Sequence, residues 1–363
     1  MSIRVSAISL VLILSLEPWL RDALYEASHQ IISDIQSPTV NVKSWYFFSN
    51  AGVLACLVVP LIHSGIITRN RAQFLYYVQM VSTEYFIMMV GKLWYSSPRP
   101  FWTGPEVKAW GCSPDFGNPS GHSLFSMSLC LTFYLSLYSQ LSRIQKVIGG
   151  FLSVSISLAI AFSRILLGVH SLNQVIFGLV IGIWATFTFH FCVRKPFFSH
   201  IKNLSDSTSK LMLLASVYIF AVAIVCVIYE STTPYIDPIW VKHISEKCSV
   251  EKLAHSFQHQ GVNVIGVMTM GVGSYHGQVV ERRTYRDRHF VNTQAWKILL
   301  KIILILVFFI PVFIGNEIEK QASNRYLIMV FAHGIPYYTS FYLSQAYFEQ
   351  VCFKLGLIKL GPK

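Results

Sequence analysis

The chain has 363 residues, of which 53% are hydrophobic and 13% charged, and its formal net charge is +12. Such an apolar, charge-poor composition excludes an ordinary soluble domain and points to an integral membrane protein. In a soluble chain a charge of +12 would suggest nucleic acid, but here the cations sit in the gaps between apolar stretches, so they report membrane orientation and no nucleic-acid partner is expected.

Residues 1–45 read as a leader. The apolar stretch 5–16 is followed at once by Glu17-Pro18-Trp19, without a small-residue cleavage site. Residues 19–35 then mix Leu20, Leu24, Ile31 and Ile32 with charges, which predicts an uncleaved interfacial or anchoring helix. Nine stretches of about bilayer length follow, at 46–67, 74–94, 122–141, 147–169, 174–193, 211–229, 262–275, 298–314 and 326–348. The seventh is short and glycine-rich. The expected fold is all-α: a polytopic helical membrane bundle of about nine transmembrane helices, with a six-helix core over 46–230, then a loop and three additional helices over 231–363.

The cations fix which side is which. Arg69 and Arg71, Arg143 and Lys146, Arg194, Lys195, Lys202 and Lys210, the run Arg282, Arg283, Arg286, Arg288 and Lys297, and the tail Lys354, Lys359 and Lys363 all fall on one face. The positive-inside rule makes that face cytosolic. Asn203-Leu204-Ser205, the only glycosylation acceptor pattern, lies there and should carry no glycan, since Pro119 disqualifies Asn118. Of seven cysteines, Cys56, Cys130, Cys192 and Cys226 lie in or beside spans. None shows zinc-site spacing, and no metal or cofactor is expected. Cys112 and Cys248 fall in loops on the opposite, oxidising face, where a bridge between them and two separate thiols both fit.

That opposite face also holds three segments rich in phosphate-handling groups: Lys92 through Arg99-Pro100, Pro119-Ser120-Gly121-His122, and Ser163-Arg164 through His170. A transferring phosphoryl group spreads negative charge over three oxygens, so its catalysis needs fixed positive charge, here Lys92, Arg99 and Arg164. It also needs an attacking group and a proton donor, and His170 and His122 can divide those roles. Asn118 is a good N-cap and Pro119 suits the first helical position, which predicts a helix start whose free N–H groups at Ser120, Gly121 and His122 would bind phosphate. Ser171 can cap the next helix, placing His170 and Gln174 on one face, where the Gln174 oxygen could set the imidazole tautomer.

Lys92-x6-Arg99-Pro100, Pro119-Ser120-Gly121-His122 and Ser163-Arg164-x5-His170-x3-Gln174 together resemble the type 2 phosphatidic acid phosphatase superfamily. That family's third motif usually ends in Asp. The glucose-6-phosphatase branch carries glutamine there, has aromatic residues after the Arg-Pro pair as Phe101-Trp102 do here, and has nine spans. The resemblance implies a metal-independent phosphoric monoester hydrolase. In it His170 forms a phosphohistidine, His122 serves the leaving oxygen and then the water, and Lys92, Arg99, Arg164, Ser120 and Gly121 hold the phosphate. The substrate is left between a sugar phosphate and a lipid phosphate, and the membrane between endoplasmic reticulum with a lumenal site and plasma membrane with an external one. The competing reading is a non-catalytic relative that binds or transports phosphorylated ligands.

Overall fold

The computed structural model describes residues 2–113, 115–202, 208–231, 237–248, 261–285, 290–292, 296–322 and 324–360. Asn203 and its acceptor pattern, with Arg286 and Arg288, lie outside the described residues. The architecture is an all-α helical membrane bundle, with one short antiparallel pair of strands, β1 (Phe290–Asn292) and β2 (Ile358–Leu360). Among the described residues five helices are long and apolar enough to cross a membrane: Ile3–Ile35, Val42–Ile67, Arg143–Leu166, Leu172–Lys202 and Thr208–Ser231. Lys297–Phe308 and Ile310–Gln321, bent by 43° at their junction, make a sixth if counted as one span. The expected stretches at 74–94 and 122–141 are helical but not among these: the helix Gly121–Leu137 has only 17 residues, and Arg71–Tyr95 buries the polar Ser82, Glu84 and Lys92.

The chain divides into two compact units. The first comprises Met1–Val58, Ile87–Pro196 and Ile228–Gln260 and contains every motif residue. Its helices are α1 (Ile3–Ile35), the first part of α2 (Val42–Ile62), the end of α3 (Arg71–Tyr95), α4 (Pro100–Thr103), α5 (Gly121–Leu137), α6 (Arg143–Leu166), α7 (Leu172–Phe187) and α10 (Pro238–Lys247). Two further helices, α8 (Arg194–Lys202) and α9 (Thr208–Ser231), run across the division between the units.

The leader is not an apolar piece followed by an interfacial one. It is the single 33-residue helix α1, which continues through Pro18 and turns Glu17 inward. Its start lies on α7, where Ser6 Oγ and Thr188 Oγ1 are 2.5 Å apart and Trp184 Nε1 donates to Ser6 O at 3.0 Å. At its end Gln36 Nε2 donates to Lys108 O at 2.9 Å and Leu166 O at 3.1 Å.

The packing of α5, α6 and α7 reverses the pattern of a soluble protein. On α6 Ile144, Val147, Phe151 and Phe162 are exposed while Ser157, Ser163 and Arg164 are buried, as suits a helix with lipid outside and polar contacts within. Ser157 Oγ donates to Ser126 O of α5 at 3.0 Å. α7 approaches α5 at Gly178 and Gly182, where a Cβ would stand 2.5 Å from Ser120 O and 2.7 Å from Leu124 O. This crossing holds the start of α5 against α7.

α10 anchors the loop after α4. Lys247 Nζ donates to Phe101 O, Gly104 O and Val107 O at 3.2, 2.6 and 2.8 Å, taking up carbonyls that an irregular buried loop would otherwise leave unpaired. Trp240 packs on Trp102 with ring centroids 6.0 Å apart. Cys112 and Cys248 form a disulfide with Cα atoms 6.0 Å apart, which settles the alternative the sequence left open.

The second unit comprises Val59–Phe86, Phe197–Val227 and Gly261–Lys363. Its helices include α11 (Val264–Tyr285), α12 (Lys297–Phe308), α13 (Ile310–Gln321), the short turn α14 (Arg325–Leu327) and α15 (Ile335–Lys354). The stretch expected at 262–275 is thus longer than its apolar core suggested. Within this unit Gln79 and Ser82 donate to Gly271 O and Val267 O of α11, both at 2.8 Å. Arg69 pairs with Glu349 at 2.5 Å.

Candidate active site

The site is built at the ends of α3, α5, α6 and α7 and in the turns joining them. Lys92 lies in the last turn of α3, and its buried Nζ donates to Asp115 Oδ2. Arg99 sits just before Pro100 at the start of α4 and is 1% exposed. Its Nε donates to Asp115 O at 2.6 Å, Nη2 to Asp115 Oδ1 at 2.7 Å, and Nη1 to Val169 O at 2.7 Å. Nη1 also lies 3.0 Å from His170 Nε2.

Gly168, with φ of 71°, makes the turn from α6 to α7 possible, since a side chain there would be strained and its Cβ would stand 2.5 Å from Lys108 O. The turn returns Val169 and His170, whose N–H groups both donate to Arg164 O at 3.2 Å. Ser171 opens α7, and Gln174 Oε1 accepts Ser171 N–H at 3.3 Å and faces His170 Nδ1 at 3.1 Å. Gln174 Nε2 donates to Pro98 O at 2.7 Å. That carbonyl can only accept, so it orients the amide with its oxygen toward Nδ1; His170 then carries its proton on Nδ1 and a lone pair on Nε2, beside Arg99. Burial first, then the charges of Arg99, Arg164 and Lys92, hold His170 well below the usual histidine pKa.

The start of α5 differs from expectation. Neither Asn118 nor Pro119 begins the helix: Ser120 is the N-cap and Gly121 the first helical residue, after a cis Asn118-Pro119 bond. Ser120 N–H is also not free, because it donates to Gln174 O at 3.0 Å. With Ser120 as the cap, the first-turn N–H groups without a partner inside the helix are those of Gly121, His122 and Ser123. The tertiary bonds made by residues 118–120 outweigh the local preference of Asn and Pro for the cap and first-turn positions.

His122 Nε2, Arg164 Nε and Asn118 Oδ1 are buried with no hydrogen-bond partner among the described residues. The Arg164 side chain is otherwise held by Nη1 donating to Ser49 Oγ at 2.9 Å. Buried polar groups are nearly always paired, so the open imidazole nitrogen and guanidinium N–H are positions where a ligand could bind. The arrangement can place an anion against three cations, next to one nucleophilic nitrogen and a second imidazole.

Asp115 is the residue the sequence reasoning missed. Burial works to raise its pKa, but Lys92 and Arg99 outweigh it and hold the carboxyl well below the usual carboxylate range. Its signal in the sequence was slight: one of two acids between α3 and α5, the other being Glu106. Ser49 and Glu17 gave no signal, since their partners Arg164 and Asn118 are 115 and 101 residues away.

The membrane helix bundle thus gathers buried lysine, arginine and histidine at the ends of its helices. The family model of the PAP2 superfamily matches residues 73–198, the stretch that carries all of these motif residues. Among solved structures, a transmembrane PAP2-type phosphatidylglycerolphosphate phosphatase from Bacillus subtilis is similar over 51% of this chain and 94% of its own, with 19% identity and a TM-score of 0.42. No curated protein matches the chain.

Proposed function

We propose that the protein is a metal-independent membrane phosphatase that hydrolyses phosphate monoesters through a phosphohistidine. The observation that carries this reading is a buried His170 with its Nε2 lone pair aimed beside Arg99, next to the vacant His122 Nε2 and Arg164 Nε. His170 Nε2 attacks phosphorus and the ester P–O bond breaks. The departing oxygen takes a proton from His122, whose protonation the two negative charges of the bound substrate favour. In the second step water attacks phosphorus, the P–N bond breaks, His122 accepts the water proton, and inorganic phosphate leaves. Lys92, Arg99, Arg164 and the Gly121 and His122 N–H groups bear the charge on the equatorial oxygens.

This scheme draws its positive charge from side chains. Among the described residues no three His, Cys, Asp or Glu side chains gather where they could hold a metal ion. The loop that carries Arg99 is also the loop bonded through Cys112 to Cys248, and disulfides persist in oxidising compartments. That supports a site facing the lumen of the endoplasmic reticulum or the cell exterior, in agreement with the cationic loops on the other face. Gln174 and the Phe101-Trp102 pair favour a sugar phosphate over a lipid phosphate, by likeness to the glucose-6-phosphatase branch.

Two measurements test the reading. The purified protein should release phosphate from glucose 6-phosphate faster than from phosphatidate or a sphingoid phosphate, in chelator, and labelled substrate should leave an acid-labile, base-stable phosphoryl group on His170. Turnover with no such adduct would remove the covalent step, and faster hydrolysis of the lipids would reverse the substrate assignment. Gln174→Leu, which strips the oxygen from His170 Nδ1, should lower kcat about 10- to 100-fold with little change in KM. Gln174→Asp keeps an oxygen there and should retain more; equal losses in the two would reduce Gln174 to a packing role.

A further inference from the structure

The stretch matched by the family begins at residue 73, so α1 lies wholly outside it. Yet this helix carries a carboxylate that faces the site's own scaffold. The Glu17 side chain is 2% exposed within a helix apolar enough to cross a membrane, a position where an ionisable group is expensive and usually functional. Arg21, one turn on, balances it: Nε lies 3.1 Å from both carboxylate oxygens and Nη2 lies 2.5 Å from Oε2. The remaining bond crosses to another element. Asn118 Nδ2 donates to Glu17 Oε1 at 2.5 Å.

Asn118 is fully buried, and its other amide atom, Oδ1, has no hydrogen-bond partner among the described residues. Glu17 is therefore what orients the Asn118 side chain, since a flipped amide would turn its oxygen onto the carboxylate. Asn118 stands four residues before His122, with only Pro119, Ser120 and Gly121 between them. On the far side of this segment Ser120 N–H is held by Gln174 O at 3.0 Å. The segment is thus gripped at one end by α7, which also aims His170, and at the other by α1. A second tie from α1 reaches the end of α3: Tyr95 OH donates to Leu14 O at 2.8 Å, and the Arg21 guanidinium lies 4.9 Å over the Tyr95 ring.

We propose that Glu17 is a positioning residue: acting through Asn118, it sets the segment that carries His122, which makes α1 a working part of the catalytic unit. The proposal rests on the phosphatase reading above and on the acid role given there to His122. A group that only anchors α1 would, when removed, lower activity on every substrate alike. One that aims a general acid would, when removed, hurt most those substrates whose leaving oxygen most needs a proton.

The test is a series of phosphate monoesters from nitrophenyl through phenyl to alkyl, assayed with the full-length protein in detergent or nanodiscs. For Glu17→Ala, kcat on the alkyl ester should fall about 10- to 100-fold while the nitrophenyl ester loses less than about 3-fold, in the same sense as His122→Ala. Glu17→Gln, which keeps an oxygen for Asn118 Nδ2, should recover most of the loss. If Glu17→Ala does not fold, Asn118→Ala removes the same bond from the other side and should give the same dependence on the leaving group. A uniform fall across the series in Glu17→Ala or Asn118→Ala, beside a graded one in His122→Ala, overturns the positioning role alone. A flat series in His122→Ala overturns the acid role and the positioning proposal with it.

Discussion

Replacing His170 with alanine should cut turnover on the order of 10⁶-fold, the loss seen when a covalent nucleophile is deleted, and should abolish the phosphoryl-enzyme. The magnitude follows from the geometry. His170 Nε2 is the nitrogen left with a lone pair once Nδ1–H donates to Gln174 Oε1 at 3.1 Å. The same surroundings set the pH dependence. Burial and the neighbouring cations lower the His170 pKa, so the attacking nitrogen stays unprotonated as pH falls through the ordinary histidine value near 6.5. The acid limb of kcat/KM should therefore lie below that value. Substantial turnover in His170→Ala would refute the covalent mechanism, and an acid limb at or above the ordinary value would refute the account of its environment.

Arg99→Ala should cost about 10³-fold in kcat/KM, within the range for an arginine that stabilises a phosphoryl transition state. Arg99 is more than a charge: its fork holds the Asp115 carboxylate and backbone oxygen, the Val169 carbonyl and His170 Nε2 at once. A lysine has the charge without the fork, so Arg99→Lys should recover only a small part of the activity. Near wild-type activity in Arg99→Lys would show that only the charge matters. Since Asp115 draws on Lys92 as well, loss of Arg99 leaves that carboxylate with one cationic partner in place of two.

Much of the site was legible in the sequence because its contacts are local. His170 and Gln174 are four apart, Val169 and His170 fold back on Arg164 through a turn marked by Gly168, and Ser171 opens the next helix at the position its cap preference indicates. Where the reading failed, the deciding partner was remote. Asn118 and Pro119 look like a cap and a first helical residue, but Glu17 and Gln174 pull residues 118–120 into another path, and Ser120 becomes the cap. The leader was divided because Glu17-Pro18-Trp19 read as the end of the apolar stretch, whereas Glu17 pairs with Arg21 and the helix runs on through Pro18. The spans at 74–94 and 122–141 were read from apolar residues alone, and the buried polar residues they carry do not announce their partners in the sequence.

The bond between Cys112 and Cys248 also changes the connectivity of the polypeptide. It joins positions 136 residues apart, and the stretch between them contains His122, Arg164, His170 and Gln174. Those four side chains therefore lie on a closed covalent loop, with Lys92 and Arg99 on the strand leading into it. A single protease cut between Lys195 and Lys210 opens that loop without detaching either product. The two pieces stay joined through sulfur, with His170 on one and the anchor helix α10 on the other, and separate on a denaturing gel only after a thiol is added.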